Sequence, residues 1–245
     1  MNKEIAENVL EVRRRIAAAA ARAGRRADEV TLVAVTKTRS PEQMAAAVEA
    51  GCCDLGENRV QEYVEKREKT QYLAENGEKN LKNLKIKWHL IGHLQRNKVK
   101  YIADSVGLIH SVDSFRLAEE IEARAAACDR RIEILIQLNP AGEEQKSGVA
   151  PAEAEGLALE IAGRFPHVAV TGLMAVVPVA DDPEAVRSYF REVRELFDAI
   201  QAQHGSGALP WMKQLSMGMT HDYEVAVEEG ATIVRVGTGI FGPRG

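Results

Sequence analysis

The sequence predicts an α/β protein whose parallel strands close into a single (β/α)8 TIM barrel. Three observations lead there. Eight short apolar, β-branched runs alternate with longer stretches of helical periodicity, and strands that alternate with helices build parallel sheets. The length of 245 residues matches the ~250 of a typical barrel. No G-x-G-x-x-G follows the first strand, which argues against an open dinucleotide-binding sheet.

The elements follow in order. An Ala-rich helix at about residues 3–23 opens the chain and is closed by Gly24. Strands are expected at 31–36, 52–56, 87–92, 107–112, 131–139, 168–176, 213–217 and 232–237. Helices are expected at 41–50, 58–69, 94–103, 114–127, 151–163, 182–203 and 220–229. Pro41, Pro151 and Pro183 sit in first turns, where a missing N–H costs nothing, and Ser40 and Asp182 precede two of them as caps. Residues 70–85 read as a polar loop. No Pro/Gly/Ser linker divides the chain, so residues 1–245 are expected to form one domain.

Composition narrows the function. A net charge of -4 and a pI near 5.9 argue against nucleic acid as the main partner. The basic cluster of Arg13, Arg14, Arg15, Arg22, Arg25 and Arg26 is interleaved with Glu4, Glu7 and Glu11 and reads as a solvated helix face. No apolar stretch approaches the ~20 residues that span a bilayer, and the polar start MNKEIAEN has no signal-peptide core. A cytoplasmic protein without a membrane role is expected. Cys52 and Cys53 are adjacent and Cys128 is alone, so no disulfide is expected. There is no CxxC, HExxH or G-x-S-x-G. His89 and His93 are four apart, but WHLIGH reads as a strand entering a turn, so a metal site is not expected.

The segment 213–242 carries the most chemistry. Two apolar runs end in turns, Ser216-Met217-Gly218-Met219-Thr220 and Gly237-Thr238-Gly239. If both runs are parallel strands, the turns adjoin at the carboxyl edge of the sheet. Glycine N–H groups and hydroxyls then converge as a phosphate requires, since phosphate only accepts. The loops after the last two strands of a barrel are a recurrent phosphate site.

Lys37 ends the first strand, at the same barrel mouth. A partly desolvated lysine beside other cations has a neutral amine available for a Schiff base. The natural ligand is an aldehyde that also carries phosphate, either pyridoxal 5'-phosphate or a sugar phosphate. Arg235 lies two residues before the second turn and points into the mouth by period two. Its guanidinium has no acceptor and keeps its proton; opposite a pyridine nitrogen it would hold that nitrogen unprotonated and weaken the ring as an electron sink. A buried ion pair of Arg235 with Glu57 or Asp54 is the alternative.

Six motifs are shared with a known family: VAVTK (33–37), LGENRVQE (55–62), WHLIGHLQRNK (88–98), EEQKSG (143–148), GLMAV (172–176) and the long stretch 215–242. On these the chain resembles, nearly end to end, the YggS/PROSC family of pyridoxal-phosphate-binding homeostasis proteins. The resemblance implies a barrel like the alanine racemase N-terminal domain, fold-type III. It implies pyridoxal 5'-phosphate (PLP) held on Lys37 as an internal aldimine, with Ser216, Gly237 and Thr238 on the phosphate. The backbone of Met217 and Gly218 would lie close by, Arg235 would face the pyridine nitrogen, and Asn58 would lie against the ring. His93 and His221 depart from the family pattern without falling on a ligand-carrying position. Lys146 is a second lysine in a glycine-bounded loop, read as a surface residue.

Racemisation by fold-type III enzymes uses a second proton donor, a tyrosine from another domain. The chain stops at Gly245, so no such domain is expected, and Tyr63, Tyr72, Tyr101, Tyr189 and Tyr223 fall mostly in helices or the polar loop. The expectation is a monomeric, non-catalytic carrier that buffers PLP and delivers it to PLP-dependent apoenzymes. A low-activity racemase and a Schiff-base sugar-phosphate aldolase are the two enzymatic alternatives.

Overall fold

Strands rich in Val, Ile and Leu on both faces are what a parallel sheet needs, because one face meets the barrel interior and the other meets helices. The computed structural model describes residues 2–75, 86–143, 145 and 147–243. Its strands are β1 Thr31–Val35, β2 Asp54–Glu57, β3 Lys87–Leu90, β4 Leu108–Val112, β5 Ile132–Leu138, β6 Val168–Ala175, β7 Gln214–Met219 and β8 Ile233–Val236. All pair in parallel in sequence order, and β8 pairs with β1, so the sheet closes into the expected eight-stranded barrel.

The helices are α1 Asn2–Arg22, α2 Pro41–Glu49, α3 Val60–Glu75, α4 Phe115–Ala127, α5 Pro151–Arg164, α6 Arg187–His204, α7 Tyr223–Glu228 and α8 Thr238–Phe241. Local chemistry sets their starts. Ser40 Oγ accepts the Gln43 N–H while Gln43 Oε1 accepts the Ser40 N–H, a reciprocal capping box with Pro41 just inside. Ala150 has no side-chain acceptor, so α5 has only the returning half, Ala150 N–H to Glu153 Oε2 at 3.0 Å.

The structure corrects several expected boundaries. β2 begins at Asp54 rather than Cys52, leaving Cys52 buried against β1 with its thiol on the Leu32 carbonyl. β7 runs on to Met219, because Asp222 Oδ1 accepts the Met219 N–H at 2.6 Å and the chain turns only there. Residues 94–103 do not form an α-helix. Their core is a 3-10 stretch, Arg96–Tyr101, pinned by buried Val99 and Ile102. The helix expected at 182–203 likewise starts as a 3-10 turn, Pro183–Val186, before α6 begins at Arg187. The expected polar loop at 70–85 is helical as far as Glu75; residues 76–85 lie outside the described part of the chain, as does Lys146. The short helix α8 was not expected.

Two cores result. Val33, Leu108, Leu135, Met174 and Ile233 fill the barrel interior, and a larger apolar layer separates the sheet from its helices. At Gly172 in β6 a Cβ would stand 1.7 Å from the Gln214 carbonyl oxygen, so only glycine lets β7 come this close. None of the described helices is long and apolar enough to cross a membrane.

Candidate functional site at the carboxyl end of the barrel

Strand register decides which side chains meet at the mouth. Val33 pairs with Arg235 and Ala34 with Val236, and Val33 faces the interior. By period two, Val35 and Lys37 follow it up the same face beside Gly237. Met219 of β7 pairs with Arg235 of β8, so the ends of the last two strands adjoin, as the sequence suggested. Between them lies a cavity of about 190 Å³. Lys37, Arg235, Gly237 and Thr238 line it, together with Val35, Arg39, Met219, Thr220 and His221.

The polar lining is built from donors. Thr220 Oγ1 accepts the Gly237 N–H at 3.2 Å and the Gly239 N–H at 3.5 Å, tying the two turns together. The hydroxyl proton of Thr220 remains to be donated into the cavity. Arg39 clamps the far end of α8 through the carbonyls of Phe241 and Gly242, at 3.3 and 2.6 Å. Among the described residues no carboxylate lines the cavity. This set suits a dianion.

Lys37 is half-buried, and the backbone beside it is constrained. Thr38 has φ 65°, a left-handed conformation uncommon for a β-branched residue. Its N–H is held by Glu62 Oε2 at 2.8 Å. Beneath, Lys66 Nζ donates to the Thr36 carbonyl at 2.6 Å, to Glu57 Oε1 at 2.7 Å and to Glu62 Oε2 at 3.2 Å. Such strain at the start of a loop belongs to positions that must present a side chain in one place.

Arg235 is buried in the barrel, with Nη1 on Ser216 Oγ at 2.5 Å and Nη2 on the Ala175 carbonyl at 3.0 Å. The alternative ion pair is corrected by these contacts. Glu57 faces outward and pairs with Lys66, and Asp54 pairs with His89. Burial pulls the Arg235 pKa down to about 10, so it remains a cation at neutral pH.

The other expected residues lie around the cavity rather than in its lining. Ser216 is fully buried under Arg235, its hydroxyl also 3.0 Å from His110 Nδ1. The Met217 side chain packs in the sheet–helix core. Gly218 has φ 89° where β7 approaches α7. Asn58 follows β2, and its Oδ1 is buried without a hydrogen-bond partner, an orphaned acceptor at the mouth that a ligand donor would satisfy.

Sequence reasoning placed Thr220 in the first phosphate-type turn but did not find Arg39 or His221 as cavity residues. The position of His221 directly after that turn was the signal for it. Arg39 gave none, because its role depends on α8. Nor did it find His110, which with His89 continues a buried chain of contacts from Ser216 to Asp54.

Comparison with known proteins identifies the family. Residues 8–245 match the family described as alanine racemase, N-terminal domain. The pyridoxal phosphate homeostasis protein of Aquifex aeolicus (strain VF5) is 45% identical over 238 residues, covering 97% of each chain. The protein of that name from Escherichia coli (strain K12) is 37% identical over 243 residues, covering 98% of this chain and 97% of its own. PipY of Synechococcus elongatus PCC7942, solved with PLP bound, superposes with a TM-score of 0.78 at 30% identity, covering 97% of this chain and all of PipY. The chain belongs to the pyridoxal phosphate homeostasis proteins, within the alanine racemase N-terminal domain family.

Proposed function

We propose that this protein holds pyridoxal 5'-phosphate at the barrel mouth, covalently through Lys37, as a carrier that buffers the cofactor and hands it to apoenzymes. The carrying observation is that one cavity brings together the Lys37 amine and a carboxylate-free set of phosphate donors between β7 and β8. PLP seen in PipY and the names of the relatives support it. When bound, PLP supplies an aldehyde electrophile. The chain's residues do the rest. Thr220, Thr238 and Gly237 seat the phosphate beside Arg39, with Ser216, Met217 and Gly218 beneath. Arg235, fixed by Ser216 and Ala175, faces the ring nitrogen with a donor and denies it a proton. The unpartnered Asn58 oxygen offers a place for a ring substituent that donates.

The same lining supports a carrier over a racemase. Moving a proton at a substrate carbon needs an acid or base within hydrogen-bond reach on each face. Among the described residues no tyrosine lines the cavity, and beside Lys37 the lining offers only the His221 imidazole as a side chain suited to proton transfer. With the lysine near an open rim, the linkage is within reach of solvent and of an acceptor protein. A monomer acting in the cytoplasm fits this reading.

The test is an absorbance spectrum of the purified protein, followed by borohydride reduction and peptide mapping. The expected result is a yellow protein with the reduced B6 adduct on Lys37, and no visible band in Lys37→Ala. An adduct on another amine, or a colourless protein trapped only after a sugar phosphate is added, overturns the proposal. Solvent deuterium entering the α-position of alanine faster than with free PLP would replace the carrier by a racemase.

A further inference from the structure

Lys37 holds the second place of the turn Thr36-Lys37-Thr38-Arg39. The Arg39 N–H closes that turn on the Thr36 carbonyl at 2.9 Å, and Thr38, in third place, has φ 65°. A turn with positive φ at its third place ordinarily takes glycine there, which has no Cβ to clash. Thr38 is exposed, so packing of its side chain does not impose the conformation. Its backbone does: the Thr38 N–H donates to Glu62 Oε2 at 2.8 Å.

That acceptor is itself fixed. Lys66 Nζ donates to Glu62 Oε2 at 3.2 Å and to the Thr36 carbonyl at 2.6 Å. One ammonium and one carboxylate of α3 therefore bridge the residues on either side of Lys37. A third bond, to the buried Glu57 Oε1 at 2.7 Å, anchors Lys66 on β2. Burial pushes the Glu62 pKa up, but the bonds from Thr38 and Lys66 outweigh it and bring the pKa below its ordinary value, so the acceptor is ionised at neutral pH. Lys37 lines the mouth cavity, whereas Thr38, Glu57, Glu62 and Lys66 do not. The hold of this cluster on Lys37 runs through the backbone.

We propose that Glu62, steadied by Lys66, is the positioning residue of the Schiff-base lysine: its carboxylate keeps Thr38 left-handed and so aims the Lys37 amine into the cavity. The inference rests on the reading of Lys37 given above. When amine and aldehyde condense, one water leaves and the cluster takes up no proton, so its contribution is conformational. Without the acceptor, Thr38 returns to negative φ, the ordinary preference of a β-branched residue. The turn then opens, and the Lys37 stem loses its fixed direction. A glycine at position 38 would need no such clamp, because positive φ is open to it without strain.

The test separates the lysine linkage from the rest of the site. Pyridoxine 5'-phosphate has the ring and phosphate but no aldehyde, so its dissociation constant reports the seat alone. PLP binding, with borohydride trapping and peptide mapping, reports the linkage at Lys37. In Glu62→Ala the dissociation constant for PLP should rise about tenfold, the order of the penalty on a non-glycine residue with positive φ, while that for pyridoxine 5'-phosphate stays within about twofold. Glu62→Gln keeps an acceptor without the charge and should match the parent. Thr38→Gly added to Glu62→Ala should restore the linkage. In the cofactor-free protein, hydrogen exchange at the Thr38 amide should quicken in Glu62→Ala and not in Glu62→Gln. Should Glu62→Ala fail to fold, Thr38→Pro, at an exposed position, removes the same N–H, fixes φ at about −65° and should weaken the linkage as much. An unchanged linkage in Glu62→Ala or Thr38→Pro, an equal loss for both ligands, a Glu62→Gln as impaired as Glu62→Ala, or no rescue by Thr38→Gly overturns the positioning role and leaves the Lys37 linkage standing. A B6 adduct mapped to another amine in the parent protein overturns both.

Discussion

Gly218 shows how one residue positions the mouth. Its φ of 89° is open to glycine, and a Cβ would fall 2.6 Å from the Ala226 Cβ and 2.9 Å from the Tyr223 Cα. Both neighbours belong to α7, so the clash would push that helix away from β7. Gly218→Ala combines left-handed strain with overpacking and should cost about 2 kcal/mol or more. In a chain of this size that lowers the Tm by about 4–8 °C, readable by scanning calorimetry. An unchanged Tm would mean that β7 and α7 separate freely. Thr38 carries the same conformation without glycine's freedom, held by its bond to Glu62. Thr38 adjoins Lys37, and Gly218 lies within the first of the two turns.

At the scale of elements, β1, β2 and α3 are joined by one buried polar cluster. Lys66 of α3 bonds the carbonyl at the end of β1 and Glu57 at the end of β2. Glu57 is fully buried, with Oε2 unpartnered. Burial raises its pKa, opposed by its bonds from Lys66 and Thr36. Lys66→Met removes the cation and leaves the carboxyl alone, a loss of about 3–5 kcal/mol near neutrality. The pH dependence has a definite sign. A folded-state pKa above the unfolded value favours folding fully below the unfolded pKa, and this is lost as pH rises through the folded pKa. Without Lys66 the folded pKa climbs further, so the variant should lose more stability at pH 8 than at pH 5 in urea titrations. Equal losses at both would show Glu57 to be hydrated. This cluster was not legible in the sequence: Glu57 reads there only as an alternative partner for Arg235, and Lys66 gives no signal until α3 packs on the sheet. The strands and Lys37 were legible, since apolar period and position at a strand end are local properties. Arg235 was legible as inward-facing for the same reason. Its partner was not, because Ser216 sits on the neighbouring strand at a register that a bulge shifts between Ser216 and Met219.

For the whole molecule, the ring of helices is completed by α1. Its apolar stripe of Ile5, Val9, Val12 and Ile16, with Ala19 and Ala20, is buried. Polar contacts fix its place: Asn8 Nδ2 donates to the Ile240 carbonyl of α8 at 2.9 Å, Arg13 to the Gly51 carbonyl after α2 at 2.8 Å, and Arg22 bonds Glu228 of α7 at 2.6 Å. The Arg22 pair is half-exposed on the arginine side, 53%, and such pairs contribute little. The stripe is the larger factor. Four aliphatic side chains at about 1.5–3 kcal/mol each give on the order of 10 kcal/mol of burial, an upper estimate yet comparable to the ~5–15 kcal/mol that holds a domain folded. A chain lacking residues 1–23 should therefore show no cooperative thermal transition, and its far-ultraviolet dichroism should fade gradually on heating. A sharp transition within about 5 °C of the parent would show instead that the barrel and the remaining helices carry the stability. In that case α1 would be a cover, added to a barrel that closes without it.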